Sequence, residues 1–322
     1  MADPLSPIHV VAGIISDPRG HYLLSRRQAS RDLPGLWEFP GGKREQGESS
    51  QAALRRELQE ELGITADIGD QLIVVPQLYA HKYIRLEVRH VVAWEGHLHG
   101  REGQALMWVD PQKLSRYSMP TADVPAIAAL LDPHQLWWAV FRPHSPQRWM
   151  EQFDEIFDQC SSRIVLQPSP QVSLPDWQQS LRQSYRSRRR SRSQAHWLIA
   201  DQIDCANALG LGVHLSEDRL MACSKRPISH HQLLGASCHS LEAVCHAQSI
   251  GCDYAVLAPS QSGPLSSSGL DWQSFERMRA RVSLPLYVAE VKGKTDLCHV
   301  RQYGVQGIVQ PYAFALTHSA LS

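Results

Sequence analysis

The chain has 322 residues, 43% of them hydrophobic, and its 32 basic and 32 acidic side chains cancel to a formal charge of zero. Length and composition fit about two folded domains and exclude wholesale disorder. The charge balance offers no global attraction for nucleic acid, and no apolar run approaches the roughly 18 residues that cross a bilayer. Met1-Ala2-Asp3-Pro4 has no basic leader, so the expected location is the cytoplasm.

Taken in chain order, Ile8–Ser16 reads as a strand closed by the turn Asp17-Pro18-Arg19-Gly20, with His21–Ser25 as its hairpin partner. Ser50–Leu62 reads as a helix, Gln71–Tyr79 and Tyr83–Trp94 as strands, and Asp123–Leu131 as a helix after Pro120. In the second strand Ile84, Leu86 and Val88 share one face. Composition shifts near Asp132-Pro133. All seven cysteines lie from Cys160 onward, and no CxxC occurs. These cysteines are expected to be reduced and mostly buried, with no disulfide framework or zinc site. The expected domains are 1–132 and 146–322, joined by a linker at 133–145. Beyond it, short β-like runs alternate with helical stretches: Arg163–Leu166, His196–Ile199, Gly212–Leu215, Leu234–Ser237, Tyr254–Leu257, Leu286–Ala289 and Gly307–Val309, with Ser240–Ile250 as one of the helices. That alternation predicts βα units closing a parallel sheet or barrel.

Chemistry concentrates between Gly42 and Ile64. On a helix Glu57, Glu60 and Glu61 stand at i, i+3 and i+4, sharing a face beside the stripe Leu54, Leu58, Leu62. Such an acidic face is either simply solvated or serves a hard cation, for which oxygen ligands suit Mg²⁺ or Mn²⁺. Arg56, four residues before Glu60, is placed to orient it. Gly41-Gly42 permits close approach of a loop whose carbonyl completes the coordination, and Gly63 stops the helix.

This segment resembles the Nudix box, GX5EX7REUXEEXGU with U apolar, at every fixed position. The resemblance implies an α/β/α sandwich with a mixed sheet and hydrolysis of a nucleoside diphosphate linked to a further group. It implies Glu57, Glu60 and Glu61 as metal ligands, one of them the base that deprotonates water, with Glu48 in support. Residues 8–131 further resemble the MutT-type 8-oxo-dGTP diphosphatases in Gly13-Ile14-Ile15, Arg26-Arg27, Glu38-Phe39-Pro40-Gly41-Gly42-Lys43, Trp94-Glu95-Gly96, Glu102-Gly103-Gln104 and Pro120-Thr121-Ala122-Asp123. By that likeness Arg27 contacts the nucleotide, and Glu38, Phe39, Pro40 and Gly41 line its pocket. Gly41 and Glu102 join the metal site. Asp123 stands where the family has an Asn that reads the oxidised purine, and Asp32 where it has His. Each has a plainer alternative: a surface arginine for Arg27, core packing for Phe39, a solvated charge for Glu102 and a helix N-cap for Asp123. The implied partners are a small nucleotide substrate and Mg²⁺, with neither membrane nor direct nucleic-acid binding. A thiamine-pathway pyrophosphate is the rival substrate, and a non-catalytic sensor the rival class.

Residues 138–316 more loosely resemble thiamine phosphate synthase, a (β/α)₈ TIM barrel, through Ile199-Ala200-Asp201-Gln202, Gly212-Val213-His214-Leu215 with Glu217-Asp218, Gly235–Ser240 and Gly251–Tyr254. The departures fall on phosphate binding. Glu290-Val291 replaces a Gly-Gly turn, Leu166-Gln167-Pro168 lacks the basic strand end, and Ser260–Gly263 replaces a Thr-Lys loop. An active synthase is therefore not expected, although Asp201 and Asp218 could hold a metal. The run Arg182, Arg186, Arg188, Arg189, Arg190 and Arg192 has only Tyr185 as a stacking aromatic, so a solvated face is expected.

Overall fold

A computed structural model describes residues 6–29, 32–160, 162–188, 196–257, 265–266, 269–270, 272–289 and 297–314. It divides into two compact units. One gathers Met1–Asp132 with Gly269–Leu286 and Lys294–Gln306; the other gathers Pro133–Ser268, Tyr287–Gly293 and Gly307–Ser322. Among the described residues no helix is long and apolar enough to cross a membrane.

The first unit begins with β1 (Ile8–Ile14), β2 (Tyr22–Arg26), β3 (Trp37–Glu38) and β4 (Gly41–Lys43), then α1 (Ser50–Leu62). It continues through β5 (Ile64–Tyr79), β6 (Lys82–Gly96), β7 (Leu106–Val109), a 3₁₀ turn at Pro111–Arg116 and α2 (Asp123–Leu131). A mixed sheet has the order β4-β1-β6-β5, and a second sheet the order β3-β2-β7. Both predicted helices fall on their expected bounds. Ser49 caps α1 by accepting from the Ala52 N–H, and Gly63 ends it in the left-handed conformation at φ 71°. Leu54, Leu58 and Leu62 are fully buried, which fixes which face of α1 looks outward. The expected hairpin of β1 with β2 does not form: a single bridge, Ser16 to Tyr22, joins them. Asp17 holds the intervening turn by accepting from the backbone of Arg19 and His21. The chain then crosses into the other sheet, where β2 pairs with β3 and β7. Strand β1 instead runs antiparallel to β4 and parallel to β6.

The second unit contains β8 (Gln135–Phe141), β9 (Arg163–Pro168), β10 (Trp197–Ala200), β11 (Gly212–Leu215), β12 (Leu234–Cys238) and β13 (Tyr254–Leu257). In chain order the two-residue strands β14 (Leu265–Ser266) and β15 (Gly269–Leu270) follow, β15 counted with the first unit, and then β16 (Leu286–Ala289) and β17 (Gly307–Pro311). The second unit's helices are α3 (Pro146–Gln159), α4 (Leu174–Arg188), α5 (Ile203–Leu209), α6 (Glu217–Met221) and α7 (Leu241–Ser249), while α8 (Trp272–Arg279) and α9 (Leu297–Arg301) belong to the first unit. Strands β8–β13, β16 and β17 close a barrel in the order β10-β11-β12-β13-β16-β17-β8-β9. The stretch read as a linker therefore supplies a barrel strand. Pro133 and Pro143 bracket it, while Leu136, Ala139 and Phe141 are buried; the prolines mark the ends of a strand here, not a flexible joint.

The lumen is packed with side chains, as in other barrels of this kind. Tyr254 and Tyr287 are fully buried, with ring centroids 5.5 Å apart. The Arg163 guanidinium lies 4.9 Å from the Tyr254 ring centre. His214 bonds Tyr254 Oη at 3.0 Å and Ser237 Oγ at 2.9 Å. Burial pulls its imidazole down to about 3, so it is neutral. A Cβ on Gly235 would fall inside the Tyr254 ring. Gly235→Ala should therefore cost about 1–3 kcal/mol through overpacking. Thermal unfolding of the full chain should show a melting point lower by roughly 2–10 °C; an unchanged value would mean the ring moves aside without cost.

Helices α8 and α9 pack on β5 within the first unit, although the sequence reading assigns them to the C-terminal domain. Arg279, fully buried, donates from Nε to the Gly304 carbonyl and from Nη1 to that of Val282. Gln306 and Arg301 donate to the Ala128 and Ala129 carbonyls near the end of α2.

Candidate active site

The outward face of α1 meets the β1–β4 edge. Strand β4 sets Gly41 and Gly42 opposite Ala12 and Val11. No side chain fits at either glycine: a Cβ on Gly41 would enter the Val11 carbonyl, and one on Gly42 would enter the Glu57 carboxylate. The glycine pair thus forms the cradle in which Glu57 rests. Arg56 is the hub behind it. It binds Glu48 in a two-pronged pair at 2.9 and 3.0 Å, reaches Glu57 at 2.9 Å and Glu60 at 3.2 Å, and donates to the Lys43 carbonyl at 3.0 Å. That pair holds the Glu48 carboxyl down to about 2, and the same carboxylates push the Arg56 guanidinium up.

Beside Glu57 opens a cavity of about 560 Å³ lined by Arg27, Glu38, Phe39, Gly41, Gly42, Glu57 and Asp123 among others. Arg27 pairs with Glu38 across its wall and donates from Nε to the Asp32 carbonyl at 2.6 Å. Asp123 is 5% exposed. Burial first, and the nearby Glu38 second, raise its carboxyl to about 8; Arg27 and the Phe39 backbone pull the other way. Asp123 therefore carries its proton near neutrality. The N-cap of α2 is Ala122, without a side-chain cap, so Asp123 does not cap the helix. Phe39 is both core, at 2% exposure, and wall.

Of the sequence-predicted residues, Arg27, Glu38, Phe39, Gly41, Glu57 and Asp123 share this cavity. Pro40 is buried and does not line it. Glu48, Arg56 and Glu60 form the network behind Glu57. Glu61 is buried at 5% beside the leucine stripe. Its carbonyl accepts from Arg101 N–H and Gln104 Nε2, each at 2.9 Å, docking the loop that carries the exposed Glu102 at the end of α1. The expected metal set of Gly41, Glu57, Glu60, Glu61 and Glu102 is not gathered: among the described residues no three His, Cys, Asp or Glu converge on one point. The physical reason lies in Arg56, which occupies Glu57 and Glu60. The donor chemistry nevertheless fits a hard divalent cation. It offers oxygen ligands alone, with a carboxylate seated where a Cβ would have filled the space. Sequence reading missed Tyr79, Lys82 and Ile84 on the opposite wall. Lys82 pairs with Asp32 at 2.7 Å. Strict alternation along β6 was the available signal.

Residues 11–129 match the NUDIX domain family, and residues 176–311 match the thiamine monophosphate synthase family. The CTP pyrophosphohydrolase of Escherichia coli is 42% identical over 124 residues, 38% of this chain and 91% of that protein. The chain belongs to the Nudix family. A second Nudix relative, the 8-oxo-dGTP diphosphatase of Escherichia coli, is 34% identical over 126 residues, 39% of this chain and 98% of its own. The thiamine-phosphate synthase of Prochlorococcus marinus is 29% identical over 119 residues, 35% of this chain and 34% of that protein. The C-terminal part of the chain is thus similar to thiamine monophosphate synthases. Within the barrel, Asp201 accepts from the Ser216 N–H at 2.7 Å and Glu217 pairs with His239 at 2.7 Å. Asp201 and Asp218 belong to no metal-binding group among the described residues. Ser260–Gly263, Glu290-Val291, Arg189, Arg190 and Arg192 lie outside the described residues.

Proposed function

We propose that the Nudix domain hydrolyses 8-oxo-dGTP, or a similar oxidised purine nucleoside triphosphate, to the monophosphate and pyrophosphate, with Mg²⁺ as cofactor (Mn²⁺ as substitute). In the cytoplasm this would clear a mutagenic precursor before DNA replication. The observation that carries the reading is Asp123, a buried carboxylic acid kept neutral on the cavity wall. A neutral acid presents one O–H donor beside one acceptor. Oxidised guanine presents the complementary pair, an O6 acceptor beside an N7–H donor. Ordinary guanine offers acceptors at both positions, so one lone pair would face another.

Glu57, Glu60 and Glu61 supply the carboxylates for the cation and the base that takes a proton from water. Arg56 and Glu48 hold Glu57 in place, and Arg27 with Glu38 and Phe39 receives the nucleotide. Bound Mg²⁺ would offset pyrophosphate charge and favour formation of hydroxide. The relative named CTP pyrophosphohydrolase favours a second reading: cytosine sets an N3 acceptor beside an N4–H donor, which a neutral acid matches equally. We further propose that residues 1–132, packed with α8 and α9, are the catalytic domain and that the barrel beginning at β8 has no synthase activity, since Leu166-Gln167-Pro168 offers no cation for a pyrophosphate.

Pyrophosphate release by the full chain with Mg²⁺ tests this on 8-oxo-dGTP, dGTP, CTP and thiamine diphosphate. The expected kcat/KM for 8-oxo-dGTP exceeds that for dGTP by about tenfold or more, the value of one well-placed base contact. Equal rates on the two purines, or preference for thiamine diphosphate, would overturn the reading.

A further inference from the structure

Strand β6 has two faces with different duties. Lys82, Ile84 and Leu86 point into the cavity, so Tyr83 and Arg85 point away from it. On that far side stands Glu276 of α8. Its Oε1 accepts from Tyr83 Oη at 3.1 Å and pairs with Arg85 Nη1. The same helix end holds β5: the Ala280 carbonyl accepts from the Leu78 N–H at 2.6 Å and from Gln77 Nε2 at 3.2 Å. Next along β5, Tyr79 lines the cavity, and its hydroxyl accepts from the Ala122 N–H at 3.3 Å. Ala122 directly precedes Asp123. The β5–β6 hairpin is thus gripped from behind by α8, while its front forms one wall of the cavity and steadies the start of α2.

We propose that Glu276 is a positioning residue for the nucleotide cavity, acting through Tyr83 and Arg85 on the back of β6. The inference rests on the cavity being the nucleotide site. Glu276 touches no substrate. It accepts from Arg85, whose side chain is only 26% exposed, and fixes the twist of the strand that presents Lys82 and Ile84. Without it, a partly buried guanidinium loses its partner and draws the strand toward water. The cavity wall then shifts by a fraction of an ångström, enough to weaken binding without moving Glu57 or Arg56, which stand on α1.

The test is steady-state kinetics of full-length Glu276→Ala and Glu276→Gln with 8-oxo-dGTP and CTP, well below the melting temperature. Glu276→Ala should raise KM by about fivefold to tenfold while kcat stays within about twofold, the pattern of lost binding common to ground and transition states. Glu276→Gln keeps an acceptor for Tyr83 and Arg85, and its KM should return to within about twofold of wild type. If the alanine variant does not fold, Glu276→Asp carries the test, since its shorter arm lifts the acceptor away. An unaltered KM in Glu276→Ala or Glu276→Asp would overturn the proposal. So would a fall in kcat that tracks the folded fraction with KM unchanged. Wild-type turnover on the same substrates reports separately on the proposed function: an inactive wild type removes both claims, whereas an active wild type with indifferent variants removes this one alone.

Discussion

Glu57→Gln is expected to reduce pyrophosphate release by about 10²–10⁴-fold, the usual range for losing a general base or a ligand at the reacting water. The fold should survive. Glutamine has the same shape, the Gly42 cradle still accepts it, and Arg56 keeps Glu48 and Glu60 as partners. Matching melting curves with collapsed kcat would assign the chemistry to this carboxylate. A variant within about tenfold of wild type would move the role to Glu60 or Glu61. Charge is the deciding variable: the amide can accept a hydrogen bond but can neither take up a proton nor neutralise a cation.

The second large effect is a loss of base selectivity with rising pH. The Asp123 carboxyl titrates near 8 in the folded chain, against 3.8 for its ordinary value. Below about pH 7 it is a donor and an acceptor; above about pH 9 it only accepts. The ratio of kcat/KM for 8-oxo-dGTP over dGTP should therefore fall by about tenfold between those limits. Ionised Asp123 then suits the paired N–H donors of ordinary guanine. Asp123→Asn carries a permanent donor beside an acceptor and should hold the ratio flat across the range. A wild-type ratio that ignores pH would show that Asp123 does not meet the base. Stability follows the same proton. The folded pKa is raised above the unfolded one, so the contribution is complete below about pH 4 and is lost as pH climbs toward 8. Asp123→Asn should remove that slope from a plot of melting temperature against pH.

Local patterns made much of this legible. The leucine stripe and the Ser49 and Gly63 caps specify α1 to the residue, because apolar period and end signals agree. The cavity residues Arg27, Glu38, Gly41, Glu57 and Asp123 were all readable from motif likeness. Strand partners were less so. Strand β2 follows β1 through a turn that looks like a hairpin, yet sheet membership depends on what covers each face, which no local window contains. Strand β8 was hidden by its bracketing prolines. The carboxylates expected to hold a metal do not converge among the described residues, since Arg56 binds the oxygens of Glu57 and Glu60. Glu276 was invisible: nothing in its own neighbourhood announces that it ends up behind β6.

The first unit is assembled from three separated lengths of chain, and this has a consequence for biosynthesis. At 5–20 residues per second, roughly 7–30 s pass between the emergence of Asp132 and that of Gly269. Throughout that interval the nascent sheet has its box helix but lacks the two later helices that cover β5. Val74 and Gln77 are both buried in the finished chain. A message cut short between the codons for Asp132 and Glu276 therefore yields a chain with its box helix intact but without the two helices that pack on β5.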